Sequence, residues 1–367
     1  MPYSIFYSLL FLLLLAGCGK PKDVGVPIVA KHHIAINVDE YNILPYDSIV
    51  REITFVPLET ADYCLLGDIT EVAVNDDLIA INSFGKPVLS FDKSGKYKFS
   101  LGSLGVGPNE YVSIDGISIQ DGIVYLYDSS IGFLLSFNST DGTFIKKDRL
   151  PQLYTKAYVC GEHIYATDYT KGFRLVSIAL DSLDNECELY KDANDLIASY
   201  KFREKITRSE NRLFFTDPLQ GVVYELKNGM MQPFIRFDFG DYELLSSEEE
   251  IESANSRHVT EIGDFLISDS LVHVTFHAKG NLMISLYDMR IKKACNINVL
   301  EWADKREKAY QKIPLTRCLS DNTFYQYTWF YNYLKEDSIP SKYATYKRLS
   351  SLNTESNPYL VLYKLGL

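Results

Sequence analysis

The chain has 367 residues, 46% of them hydrophobic and 13% aromatic, and a formal charge of −11 from 37 Lys+Arg against 48 Asp+Glu. An acidic chain without a basic run is a poor polyanion binder, which argues against nucleic acid as a partner. With 21 Gly and 13 Pro it is neither disordered nor fibrous, and its length allows two ordinary domains or one large repeat-built domain.

Residues 3–16 are almost wholly apolar, and no Lys, Arg, Asp or Glu precedes Lys20. The run is shorter than the roughly 20 residues of a membrane-spanning helix. It fits the apolar core of a secretory signal peptide. It stops at Leu15-Ala16-Gly17-Cys18. Small residues before a cysteine resemble the bacterial lipobox, in which cleavage leaves the cysteine to be acylated. The usual Lys or Arg near the start is missing here. Acyl chains contribute about 0.8 kcal/mol per buried CH₂, so three of them would hold the protein on a membrane essentially permanently. Gly19 follows Cys18, not the Asp associated with inner-membrane retention, and the outer membrane is the expected location, with the periplasmic or the surface side left open. The sequence therefore divides into a signal peptide (1–17), a lipid-anchored tether and lead-in (18–47) and a body (48–367). Within the lead-in, 19–31 reads as a Pro/Gly/Lys tether.

Five cysteines remain besides Cys18: Cys64, Cys160, Cys187, Cys295 and Cys318. Their number is odd and no two are closely spaced. They read as small buried hydrophobes, not as a disulfide framework or a zinc site.

Beyond residue 48 the chain alternates short apolar and polar runs broken by Gly, Asn and Asp, the pattern of strands. One unit recurs, an apolar strand ending in Asn or Asp before a turn. It appears at 77–82 (DLIAIN), 121–128 (DGIVYLYD), 161–168 (GEHIYATD) and 211–217 (NRLFFTD). Further units are read at 271–298 and at 315–333 with the C-terminal strand 359–365. Units of this length with about four strands each are β-propeller blades. The predicted fold is an all-β, six-bladed propeller. The strands 49–58 and 359–365 are expected to close one blade together, since a propeller ring removes its edges that way. Stretches 190–205, 241–257 and 301–312 are helix-prone and are expected as short helical insertions.

Three stretches then carry a family resemblance: 55–60 (FVPLET), 102–111 (GSLGVGPNEY) and 357–361 (NPYLV). On them the sequence resembles the six-bladed β-propeller lipoproteins abundant in Bacteroidota, distantly similar to NHL-repeat propellers. Asn109 stands where that family's loop has a Gly. The resemblance implies fold and export, and no established activity or catalytic residue.

Several groups compete as sites. Glu110 and Tyr111, in the glycine-rich loop, read either as funnel residues or as a structural turn. Asp128, Asp168 and Asp217 are further funnel candidates. With Asn82 they read either as turn caps or as oxygen ligands around Ca²⁺, which needs 6–8 of them. Tyr325, Tyr327, Trp329, Tyr331 and Tyr333 alternate along 323–333, suiting sugar stacking if exposed and blade packing if buried. His273 and His277 lie in a strand-like run, where residues four apart are about 13 Å distant and too far apart to share a metal. No nucleophile elbow or zinc-protease motif is present. The expected function is a lipid-anchored binding module for a small molecule, a glycan or an outer-membrane protein. The alternatives are a calcium-dependent, lactonase-like hydrolase and a scaffold subunit of an outer-membrane complex.

Overall fold

The computed structural model describes residues 28–40, 49–170, 172–192, 206–209, 211–217, 220–244, 257–298, 317–318, 322–328 and 356–367. The expected signal peptide and Cys18 lie outside them. So do Trp329, Tyr331, Tyr333 and most of the three stretches expected to be helical.

The described elements are strands, apart from the single 3-10 turn Asp62–Cys64. They form a six-bladed β-propeller. Blade one comprises Ile69–Val74, Ile79–Ser83, Val88–Phe91 and Tyr97–Leu101. Blade two comprises Ile114–Gln120, Ile123–Asp128, Phe133–Asn138 and Phe144–Arg149. Blade three runs through Lys156–Cys160, His163–Asp168, Arg174–Ala179 and Ser182–Lys191, and blade four through Ile206–Ser209, Arg212–Asp217, Val222–Lys227 and Met230–Asp238. Blade five is His258–Ser268, Leu271–Ala278, Asn281–Asp288 and Lys293–Asn298. It starts earlier than the apolar run at 271 had suggested. Tight turns follow the sequence closely: Asp121-Gly122 and Asn228-Gly229 each take two positive φ angles, the geometry that matches hairpin twist.

Blade six joins the two ends of the chain, as the strand pattern predicts. Arg317–Cys318, Thr323–Thr328 and Tyr359–Leu365 are completed by the N-terminal strand Val50–Pro57, which pairs antiparallel with Tyr359–Leu365. The polar ends of this seam are tied by Asn357. Its Nδ2 donates to the carbonyls of Glu59 (2.6 Å) and Cys64 (2.8 Å), and its Oδ1 accepts from Leu66 N–H (2.9 Å). The first and third family-like stretches are thus two halves of one closure.

Blades pack through aromatic and aliphatic faces. Phe173 of blade three stacks on Phe215 of blade four (centroids 5.5 Å, planes 8° apart). Phe214 of blade four meets Phe265 of blade five edge-on. Tyr127, Tyr158, Tyr165 and Tyr325 are buried. Most aromatics among the described residues therefore serve packing. Cys64 and Cys295 are buried, Cys187 is exposed, and these three and Cys160 carry free thiols.

The sequence pattern did not foreshadow a fifth strand on blade four. His32–Ala35 pairs in parallel with the outer strand Met230–Asp238, from His32↔Ile235 to Ala35↔Asp238. Ile34, Ile36 and Val38 are buried against blades four and five. Asn296 Nδ2 donates to the Asn37 (2.6 Å) and Glu40 (3.0 Å) carbonyls. Tyr242 and Lys279 both bond Asp39. Much of the lead-in segment is thus part of the folded body.

Candidate functional site

The inner strands of blades one and four face each other across the ring, and each contributes one charge to the axis. Arg208 Nη2 donates to Glu71 Oε1 (2.5 Å) and to the Val72 carbonyl (2.9 Å). Lys156 of blade three approaches the other carboxylate oxygen at 4.0 Å. The guanidinium also lies over the Tyr158 ring, 4.9 Å from its centroid. Glu71 is buried. Pairing and bonding to backbone offset the cost of placing these charges there. Beside Arg208 is a small cavity of about 40 Å³ lined by Ala73, Ser118, Gln120, Cys160, Arg212 and Tyr325. Burial pushes the Cys160 thiol up to about 11, and its Sγ donates to the Asn211 carbonyl. Arg212 is held by Glu225 (2.8 Å). Sequence reasoning missed Glu71 and Arg208. The available signal was a lone charge inside each apolar inner strand, ITEVAV and ITRS, which means nothing until both strands are known to face the axis.

The residues singled out from sequence are engaged locally. Asp128 accepts from Val112 N–H (2.6 Å), Ser113 N–H (3.3 Å) and Ser130 N–H (3.0 Å). Asp168 accepts from Thr170 N–H, and Asp217 from Gln220 N–H. Asn82 Nδ2 donates to Thr70 Oγ1 and to the Ile114 carbonyl. These are turn and inter-blade bonds. Among the described residues no three His, Cys, Asp or Glu side chains are grouped to hold a metal. His273 and His277 lie in the strand Leu271–Ala278, and burial lowers His273 to about 4.

Glu110 and Tyr111 build the glycine-rich loop. Ser103–Leu104 pairs in parallel with Glu110–Tyr111. Glu110 Oε2 accepts from Gly107 N–H (2.7 Å). A Cβ on Gly105 would meet that oxygen at 2.2 Å, and Gly105 has φ +150°, so only glycine fits. Tyr111 is fully buried. Its hydroxyl donates to the Leu101 carbonyl (2.9 Å) and accepts from Val88 N–H (2.6 Å). Burial raises its pKa well above the ordinary phenol value. Lys147 Nζ then donates to the Gly107 and Glu110 carbonyls, fixing the loop to the outer strand of blade two.

That fixation borders an open apolar groove. Val106, Pro108, Ile131, Phe133, Phe144 and Lys147 line an open groove of about 640 Å³. Val106 is 78% exposed. Leu153, also exposed, lies over Gly132 and extends the apolar surface past Ile131. Tyr63, Phe84, Leu104 and Val112 are exposed as well. All four lie in connections of blades one and two that leave the same ends of the strands. An exposed apolar groove of this kind marks a contact site.

Comparison with known proteins agrees with this fold. A solved structure of a putative exported protein from Bacteroides fragilis is similar with a TM-score of 0.68 at 16% identity, covering 91% of this chain and 100% of that one. A member of the DUF4221 family from Bacteroides vulgatus is similar with a TM-score of 0.50 at 10% identity, covering 86% and 97%. No curated protein matches. The family model described as "Domain of unknown function (DUF4934)" matches residues 30–364, and the chain belongs to that family.

Proposed function

We propose that the protein is an exported, lipid-anchored binding module that holds a partner protein of the cell envelope on blades one to three. The observation that carries this reading is the continuous exposed apolar surface from Leu153 over Ile131 into the groove between Val106 and Phe144. Export and anchoring are supported by the apolar leader ending at Cys18. The similar Bacteroides fragilis structure, described as a putative exported protein, supports export alone. A glycan fits the axis poorly, because a cavity of about 40 Å³ holds only a few waters. A calcium-dependent hydrolase would require Asn82, Asp128, Asp168 and Asp217 to exchange their present bonds for metal.

Two experiments test the two halves of the reading. Cys18→Ala is expected to move the protein from the membrane to the soluble fraction of fractionated cells; retention in the membrane would refute the anchor. Val106→Asp with Phe144→Asp is expected to abolish co-purification of an envelope protein after mild detergent extraction, with the melting temperature unchanged. Undiminished co-purification would refute the assigned surface.

A further inference from the structure

The outer strand of blade two, Phe144–Arg149, pairs on one side only, with Phe133–Asn138, among the described residues. A bulge at Ile145 leaves Lys146–Arg149 as its regular part. The groove between Val106, Pro108, Phe133 and Phe144 runs beside it. Its charge runs against that of the molecule. In a chain of net −11, this strand carries Lys146, Lys147 and Arg149 against Asp148 alone. Lys147 is occupied with the loop carbonyls. Arg149 lies over the Phe133 ring, and Lys146 pairs with Asp148 at 2.8 Å on the exposed face, leaving the strand a net excess of two positive charges. The outer strand of blade three is the opposite, with Asp184, Glu186 and Glu188 on its exposed length against Arg174 of the neighbouring strand, which pairs with Glu186 and Glu188. Blade four shows that this fold accepts an extended segment at an outer edge, because His32–Ala35 occupies one.

We infer that an extended, acidic segment of a partner protein adds as a further strand to the edge of blade two. Its backbone pairs with Lys146–Arg149, one carboxylate faces Lys146 on one side of the sheet and another faces Arg149 on the opposite side, and a large apolar side chain enters the groove. The inference rests on the binding-module reading and names the kind of partner that module takes. Lysines on an edge strand also serve as guards against unwanted pairing. They repel a basic edge, would lose hydration without compensation against a neutral one, and leave an acidic one as the permitted guest. The outer strand of blade three would repel the same segment, which restricts binding to one edge.

The test uses the mature full-length protein and short fluorescein-labelled peptides in which two Glu stand three residues apart, on opposite faces of an extended chain, with Phe or Leu between them, alongside versions with Lys in place of Glu. The acidic peptides are expected to bind and the basic ones not. Binding should weaken about tenfold or more in Lys146→Glu with Arg149→Glu. It should also be lost when alternate peptide nitrogens are methylated, since methylation removes the strand hydrogen bonds but leaves the side chains. Equal binding of both peptide sets, indifference to methylation, or no binding at all would overturn the inference. A concentration-dependent dimer abolished by the same two substitutions would also overturn it, making the guest a second copy. If the acidic peptides fail while Val106→Asp with Phe144→Asp still abolishes partner co-purification, the strand-addition mode falls and the binding-module reading stands.

Discussion

Buried polar side chains in this propeller act as fasteners, and each bond has a measurable cost. Removing Arg208 alone would take from the buried Glu71 carboxylate its close partner, with Lys156 only at 4.0 Å. Arg208→Met is expected to destabilise by about 3–5 kcal/mol, and adding Glu71→Leu should recover most of that loss. Chemical denaturation of the single and double variants checks it; equal losses in both would mean the pair is not coupled. His273 offers a pH probe. Its imidazole is held neutral by burial, with a pKa of about 4 against the usual 6.5. The unfolded chain takes up the proton first, so stability is intact above 6.5 and falls as pH drops towards 4. This single site would account for on the order of 3 kcal/mol of that loss. In His273→Gln the fall in melting temperature over this window should flatten; an unchanged slope would assign the acid sensitivity elsewhere.

At the scale of elements, the recurring aspartate is a turn device. Asp128 satisfies Ser130 N–H in its own turn and the N–H groups of Val112 and Ser113 at the entry to blade two. Asp128→Ala is expected to cost about 2–4 kcal/mol, by the same amount in calcium and in chelator. A loss seen only in calcium would favour the metal reading. The recurrence of Asp128, Asp168 and Asp217 was legible in the sequence because each turn has to satisfy its own backbone locally, whereas Asn82 bonds Thr70 and the Ile114 carbonyl of the next blade. The Asp121-Gly122 hairpin was legible for the same reason. Glu71 and Arg208 were not, since they lie 137 residues apart and meet only because blades one and four are opposed. The groove was equally hidden. Its walls come from a loop and two strands, and Lys147 looked like any exposed lysine of an outer strand.

For the whole molecule, closure of the ring was predictable from the β-rich ends of the chain, and the family-like stretches 55–60 and 357–361 prove to be its two bonded halves. Gly95 sits at that closure with φ +87°, and a Cβ there would lie 2.0 Å from the Pro57 carbonyl oxygen. Gly95→Ala should therefore lower the melting temperature markedly, while Gly280→Ala, at a similar φ with open space around it, pays the backbone strain alone. Equal shifts would place no weight on the seam. The added strand His32–Ala35 escaped sequence reading because HHIA is too short to carry a period, and its partner residues lie about 200 positions away in the chain. Photo-crosslinking in intact cells tests the binding surface most directly. A photoreactive residue is placed at Val106 or Phe144 in the groove, and as controls at Met230 or Ile291, exposed apolar positions on blades four and five. The account predicts a discrete protein adduct from Val106 and Phe144 and none from the controls. Adducts of equal yield from all four positions, or none from the groove, would contradict it.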